Sequence, residues 1–327
     1  MAPVIQSSTR FRIGLGSTVL STVLFALITI CFIGLWDLVA AITIFPQWCW
    51  ALLGIFLSYF GWRLCKRRWL LLMPAVWVIT AILFSDNVTS VLRMARPSPT
   101  APSTTHHVRV VTLNCAGRAA AAEEIVALKP DVVLLQEIPS TNDLARCTQA
   151  CFSAGGAFVS GLDCAILAGG AIEIRNQNEF PPQFIRAQVQ LKGGKNVLVT
   201  SLRLIPPEGR LDLWNSTAWR ASTENRRLRR TQLLAALERS MTETGLPEIL
   251  GGDFNAPVSD SVFRLLPAFQ DAHQEAGIGW GNTAINNFPI ARPDQIRVKG
   301  FRVISCRAVQ TRNSDHRLVV ADLEEVD

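Results

Sequence analysis

Charge is what this chain has least of. Asp, Glu, Lys and Arg make up 18% of its 327 residues and apolar residues 49%, against a charged share of about 25% in soluble domains. The shortage is uneven. Residues 1–100 hold 2 acidic and 8 basic side chains and residues 101–327 hold 24 of each, so the net charge of +6 belongs to the first hundred residues. The pI near 9.1 therefore does not mark a basic nucleic-acid-binding domain, because the part beyond residue 100 is neutral. Other absences narrow the chemistry. There is no Gly-rich loop of the P-loop or Rossmann type and no Gly-x-Ser-x-Gly elbow, which removes nucleotide cradles and the α/β-hydrolase nucleophile. No internal repeat or low-complexity segment is present, and the length excludes a small stapled scaffold.

Three uncharged runs account for the missing charge. Residues 15–36 run 22 positions without a charge, about 33 Å as a helix, enough for a hydrocarbon core of about 30 Å. Residues 38–62 form a second run, in which Pro46 starts the helix near Gln47, and 69–85 a third, near the lower limit for spanning. The reading is three transmembrane helices at about 15–36, 41–62 and 69–85 in a membrane segment 1–92. A cleavable signal peptide does not fit the first run, which is too long and lacks a small-residue cleavage site. Arg10 and Arg12 precede the first helix, and Arg63, Lys66, Arg67 and Arg68 separate the second from the third. Both groups stay cytoplasmic only if three helices cross, so the chain continues on the extracytoplasmic side, with Arg93 and Arg96 pulling weakly the other way. A Pro/Ser/Thr-rich linker, 93–107, leads to a domain at 108–327.

In that domain, short apolar runs end in polar residues. VRVVTLN stops at Asn114, PDVVLLQE at Gln136 and Glu137, KNVLVTSLR at Arg203, and EILGGDFN at Asp253 and Asn255; in SDHRLVVADL, Asp315 and His316 lead into the strand. If this last strand runs antiparallel to its neighbours, all these side chains meet on one rim. A helix is expected over 224–242 with Leu228, Leu233, Leu234 and Leu237 as its apolar face, so strands and helices interleave in an α/β class. A lone carboxylate at a strand end is ordinarily a cap or turn residue. Here the two glycines of GGDFN let backbone approach closely, and Ser-Asp-His sets a carboxylate beside a group that titrates near neutrality. Hard oxygen ligands with a single imidazole point to Mg2+ or Mn2+; zinc wants more His or Cys.

The set LN at 113–114, QE at 136–137, GDFN at 252–255, PDQI at 293–296 and SDH at 314–316 resembles the endonuclease/exonuclease/phosphatase family over roughly 108–325. The resemblance implies a four-layer α/β sandwich and metal-dependent phosphoester hydrolysis. It assigns Glu137 as the principal metal ligand, with Asn114 and Asp315 around the same ion or its waters. Asp253 orients or deprotonates the attacking water, Asn255 donates to the phosphoryl group, and His316, held by Asp294, sits against a non-bridging oxygen. PDQI stands where an Ile-Asp-Tyr-Ile type of segment is common. Arg203 stands where many members have His; it either binds phosphoryl charge or is a strand-end Arg paired with a neighbouring carboxylate.

The remaining features receive plainer readings. Arg226, Arg227, Arg229 and Arg230 read as a solvated helix face rather than a contact for anionic substrate or lipid. Cys147, Cys151 and Cys164 lie where an outside location would permit a disulfide. The expected function is a membrane-anchored, Mg2+-dependent phosphoesterase whose substrate is a nucleic acid, a phospholipid headgroup or an inositol phosphate, with the bilayer as its other partner. The alternative is a degenerate family member acting as a tethered binding or scaffold module.

Overall fold

A computed structural model describes residues 2–84, 86–95, 107–178, 183–237 and 245–326. The linker residues 96–106 and positions 238–242 of the expected helix lie outside the described residues. The chain forms two compact units, Met1–Val88 with Glu208–Thr223, and Thr89–Pro207 with Glu224–Asp327.

The first unit contains α1 (Ala2–Gly34), α2 (Ala40–Thr43), α3 (Gln47–Cys65) and α4 (Leu72–Leu83). Two helices are long and apolar enough to cross a membrane, Ser8–Gly34 and Gln47–Cys65. The third expected span is shorter: the 3-10 turn Arg68–Leu71 precedes an α4 of only 12 residues, which extends about 18 Å. Small residues make the helix contacts. A Cβ on Gly61 would lie 2.6 Å from the Gly14 carbonyl oxygen, and one on Gly54 would strike the Trp77 ring. Ser21 Oγ donates to the Gly54 carbonyl at 2.8 Å and accepts from Trp77 Nε1 at 3.0 Å. Polarity is reversed relative to a soluble bundle: Ser21, Thr43 and Ser58 are buried, whereas Val19, Leu20, Leu27, Ile30 and Ile33 are exposed.

Along the rest of the chain, α5 (Asp86–Arg93) is followed by β1 (His107–Asn114), α6 (Ala119–Glu123), β2 (Val132–Gln136), α7 (Thr141–Phe152), β3 (Ala157–Ser160), β4 (Cys164–Ala168), β5 (Ile172–Asn178), β6 (Gln183–Gln190) and β7 (Asn196–Arg203). Then come α8 (Ser216–Leu237), β8 (Glu248–Asp253), β9 (Gln270–Asp271), α9 (Ala272–Ala276), β10 (Asp294–Lys299), β11 (Phe301–Val309) and β12 (Leu318–Glu325). The strands form two mixed sheets of six, ordered β11-β12-β1-β2-β4-β3 and β5-β6-β7-β8-β10-β9. Only β1 with β2 and β7 with β8 pair in parallel; β12 is antiparallel to β1, and β10 to β8.

Side-chain alternation builds three apolar layers. Val110, Val132, Leu134, Ile166, Ile185, Val199, Ile249 and Ile296 fill the space between the sheets. Val111, Leu113, Val133 and Leu135 face outward and pack with α6 and α7, and Leu202 and Leu250 pack outward with Leu233 and Leu237 of α8. Period-2 continuation of the inter-sheet positions reaches Asn114, Gln136, Arg203, Asp253 and Asp294 at the strand ends. The fold thus aims polar side chains into one end of the gap between its sheets.

Three expectations change. The helix begins at Ser216, and Leu228 and Leu234 are exposed. Its inward stripe is instead Arg226, Arg229, Leu233 and Leu237, an i, i+3, i+7, i+11 series. Arg226 and Arg229 are therefore buried rather than solvated, at 0% and 2% exposure, and face Asp260. Cys147, Cys151 and Cys164 are free thiols; Cys147 and Cys151 of α7 pack on the outer face of the first sheet and Cys164 on the inner, so the sheet separates Cys164 from the other two. Arg93 donates to the carbonyls of His273, Gln274 and Gly277 at the end of α9.

A buried ionic cluster supports β9, α9 and β10. Asp271 accepts from the His273 and Gln274 amides, pairs with Arg292 at 2.9 Å and contacts Arg297 at 3.3 Å. Burial by itself would raise its carboxyl pKa, but Arg292 and Arg297 bring it down to about 2. Asp271→Asn keeps the cap and deletes the charge, and is expected to cost roughly 3–5 kcal/mol because two buried guanidinium groups lose their partner. Since the folded value lies below the unfolded one near 3.9, this contribution is complete above about pH 4 and disappears as pH falls toward about 2. Urea midpoints at pH 7 and pH 3 test both points; equal midpoints for the variant and wild type at pH 7 would show that the cluster does not support the fold.

Candidate active site

The site begins with two glycines. Gly252 has φ +141°, and a Cβ there would lie 2.0 Å from the Leu202 carbonyl oxygen; a Cβ on Gly251 would lie 2.5 Å from Leu134 Cδ1 in the other sheet. Only glycine fits at either position. The close approach brings Asp253 of one sheet to Asn114 of the other. Asn114 Nδ2 donates to Asp253 Oδ2 at 3.2 Å and to Glu137 Oε1 at 2.9 Å. One amide thus joins two carboxylates from different sheets.

Register supplies the next layer. Asp253 lies directly opposite Asp294 in β10 and Arg203 in β7. His316, just before β12, places Nδ1 2.7 Å from Asp294 Oδ2, and Thr283 Oγ1 donates to that same oxygen at 2.6 Å. Ligand atoms of Asp253, Asp294 and His316 lie within 4.8 Å of one another. Two non-glycine residues hold left-handed backbone here, Glu137 at φ 44° and Asn255 at φ 49°, conformations that persist where surrounding contacts enforce them.

The electrostatics follow from burial of like charges. Burial, with Asp294 nearby, raises the Asp253 pKa to about 7. Burial would lower that of His316, but the charge and hydrogen bond of Asp294 overrule it and raise the imidazole to about 10. At neutral pH His316 is therefore a cation, and Asp253 is poised to exchange a proton. The residues fit a divalent cation on two grounds: Asp294 Oδ1 is buried without a hydrogen-bond partner, and the donors are hard oxygens.

The structure brings Asn114, Glu137, Arg203, Asp253, Asn255, Asp294 and His316 to one rim, with differences in detail. Both amide hydrogens of Asn255 are engaged, by the Leu204 carbonyl at 2.8 Å and Asp253 Oδ2 at 3.1 Å, so Asn255 holds Asp253 instead of offering a free donor to a phosphoryl group. Asn114 turns its amide nitrogen to the carboxylates while Oδ1 accepts from Ala116 N at 3.0 Å; it bridges the ligands rather than presenting an oxygen. Asp315 is exposed and acts on His316 through charge. Arg203 does touch a carboxylate, and that carboxylate is Glu137, 2.7 Å from Nη2; Nη1 donates to Asp163 Oδ2 at 3.1 Å.

Two contributors were not apparent from the sequence. Asp163 lies in a loop outside every motif. Arg229 Nη1 donates to the Asn255 carbonyl and so fixes the turn after Asp253; its place in the inward stripe of α8 was the available signal.

A profile of the Endonuclease/Exonuclease/phosphatase family matches residues 111–316. The fold is shared with the crystal structure of TDP2 from C. elegans, at 17% identity and TM-score 0.51, covering 68% of this chain and 78% of that one. It is also shared with endonuclease/exonuclease/phosphatase proteins from Bacteroides vulgatus and Bacteroides thetaiotaomicron. The first is 17% identical with TM-score 0.51, covering 67% of this chain and 99% of that one. The second is 15% identical with TM-score 0.50, covering 66% and 97%. No curated protein matches the chain.

Asp294→Asn removes the charge that holds His316 protonated. The imidazole is expected to lose its proton at a clearly lower pH in the variant than in the wild type, where it remains protonated past pH 8, as followed by NMR of the ring protons. Superimposable titrations would show that Asp294 does not set the state of His316.

Proposed function

The chain belongs to the Endonuclease/Exonuclease/phosphatase family, whose members are phosphoester hydrolases, and from this we propose that it is a membrane-anchored, Mg2+-dependent phosphoesterase. The observation that carries the reading is the buried Asp253, Asp294 and His316 group, joined to Glu137 through Asn114. A module that only bound or tethered would have no need to bury like charges at this cost.

In the proposed mechanism Glu137 would be the principal ligand for the divalent ion, with Asp315 beside it and the Asn114 amide holding the Glu137 carboxylate in place. When bound, the ion supplies Lewis-acid stabilisation of charge on the phosphoryl oxygens. Asp253, held by Asn114 and Asn255, orients a water for in-line attack and takes its proton, a task suited to a pKa of about 7. His316, kept cationic by Asp294, donates a hydrogen bond to a non-bridging oxygen. Arg203 contributes positive charge at the other side of Glu137. The substrate class is a phosphodiester or phosphomonoester of a nucleic acid, a phospholipid headgroup or an inositol phosphate.

The anchor reading is supported by the reversed polarity of α1 and α3 and their small-residue contacts. In this reading Arg68–Leu83, counted as 3-10 turn plus α4, would be the third span, and the cation distribution supports a catalytic unit on the extracytoplasmic side.

Glu137→Gln and Asp253→Asn are each expected to lower Mg2+-dependent hydrolysis by at least about a thousandfold with the fold intact, one by losing the ligand charge and the other the base. A panel of nucleic acids, phospholipids, inositol phosphates and simple phosphodiesters identifies the substrate; near wild-type turnover in either variant would overturn the mechanism. For topology, a reporter fused after Ser103 should be active only outside the cytoplasm. Fluorescence there from a reporter that works only in the cytoplasm would refute three crossings.

A further inference from the structure

Arg203 closes β7 in one sheet, yet both carboxylates it meets belong to the other: Glu137 follows β2 and Asp163 precedes β4. Its Nη2 lies 2.7 Å from Glu137 Oε1 and its Nη1 donates to Asp163 Oδ2 at 3.1 Å. The Asn114 amide also uses Glu137 Oε1. Both of these contacts fall on one oxygen of the carboxylate proposed to hold the divalent ion, so Oε2 is the oxygen that would face it. The guanidinium retains a buried Nε–H without an acceptor, the kind of group that a phosphoryl oxygen satisfies. Burial opposes its charge, but Asp163 and then Glu137 more than compensate.

We propose that Arg203 is a covalently fixed second cation of the phosphoryl site, one that shares Glu137 with a single divalent ion, weakens that ion's hold, and adds its own charge to the substrate's phosphoryl oxygens, with Asp163 as its positioning residue. This rests on the phosphoesterase reading and says how its positive charge is divided. Two positive groups on one carboxylate repel each other, so the guanidinium keeps metal affinity low. A purely structural ion pair predicts the opposite, because losing it would loosen Glu137 and weaken metal binding. Asp163 matters because it draws the guanidinium away from Glu137; without it, Arg203 leans wholly on the metal ligand.

The test is calorimetric titration of Mn2+ into the full chain in detergent, run beside hydrolysis of bis(p-nitrophenyl) phosphate, with circular dichroism as the folding control. Wild type should bind one Mn2+. Arg203→Gln should bind it about tenfold more tightly or better while turnover falls about a hundredfold or more. Arg203→Lys, which keeps the charge, should bind Mn2+ nearly as wild type does and provides the comparison if Arg203→Gln fails to fold. Asp163→Asn should weaken Mn2+ binding and raise KM more than it lowers kcat. Unchanged or weaker Mn2+ affinity in folded Arg203→Gln, tighter binding in Arg203→Lys, or two ions per wild-type chain would overturn the proposal. Glu137→Gln separates the levels: if it leaves Mn2+ affinity unaltered, the phosphoesterase reading itself fails, whatever the Arg203 variants do.

Discussion

Like charges buried together are the constraint on which this site depends, and a steric accident of glycine creates it. Gly251 and Gly252 let β8 approach both Leu134 across the sheet gap and Leu202 beside it. That approach brings Asp253 toward Asn114 and Glu137, while antiparallel register sets Asp294 directly opposite Asp253. Carboxylates so arranged cannot all ionise without compensating positive charge. His316 answers one part of the demand, becoming a cation because Asp294 touches it. Arg203 answers another, and a divalent ion suits the remainder. The reactive properties of the site, a carboxyl near 7 and an imidazole protonated at neutrality, follow from this crowding.

How much of this the sequence reveals depends on whether a contact is set by alternation or by tertiary approach. Strands that end in Asn114, Gln136, Arg203 and Asp253 are legible because a period of two carries the inter-sheet face out to its polar end, whereas Glu137 reaches the rim only through the left-handed turn after β2. The antiparallel β12 then brings His316 to the same rim. Asp163 is illegible for the complementary reason. It meets Arg203 across 40 residues of chain and between two sheets, and nothing local distinguishes it from any loop aspartate. The family resemblance implies a free donor at Asn255, but its amide is spent on the Leu204 carbonyl and Asp253, a fact that only packing decides.

The helix α8 shows a different limit. Hydrophobicity alone selects Leu228 and Leu234 for the buried face, yet the described helix turns Arg226 and Arg229 inward. Burying two guanidinium groups is tolerable because Asp260 is buried opposite them and the Asn255 carbonyl accepts from Arg229. Charged residues on a helix are read as solvated by default, and that default fails where the helix covers a site whose own turns need donors. The same logic governs Asp271, which binds Arg292 and Arg297 in the layer behind Asp294.

A guanidinium at position 203 changes what the site can do relative to an imidazole. Imidazole beside two carboxylates would be a cation that can also yield its proton, so it could serve both charge and leaving group. Arginine keeps its charge across the working pH range and donates in a fixed plane, and Asp163 and Glu137 together fix that plane. On the proposed reading, proton transfer would then fall to Asp253, to the His316 imidazolium and to water, and not to position 203. Such a site works best when the departing group needs little protonation, as with an acidic alcohol or a phosphate already well stabilised by cations. On the proposed reading, arginine at this position would bear on substrate choice as well as on metal affinity, favouring phosphoesters whose leaving group departs as an anion and giving electrostatic stabilisation, rather than general acid catalysis, the larger share of the rate enhancement.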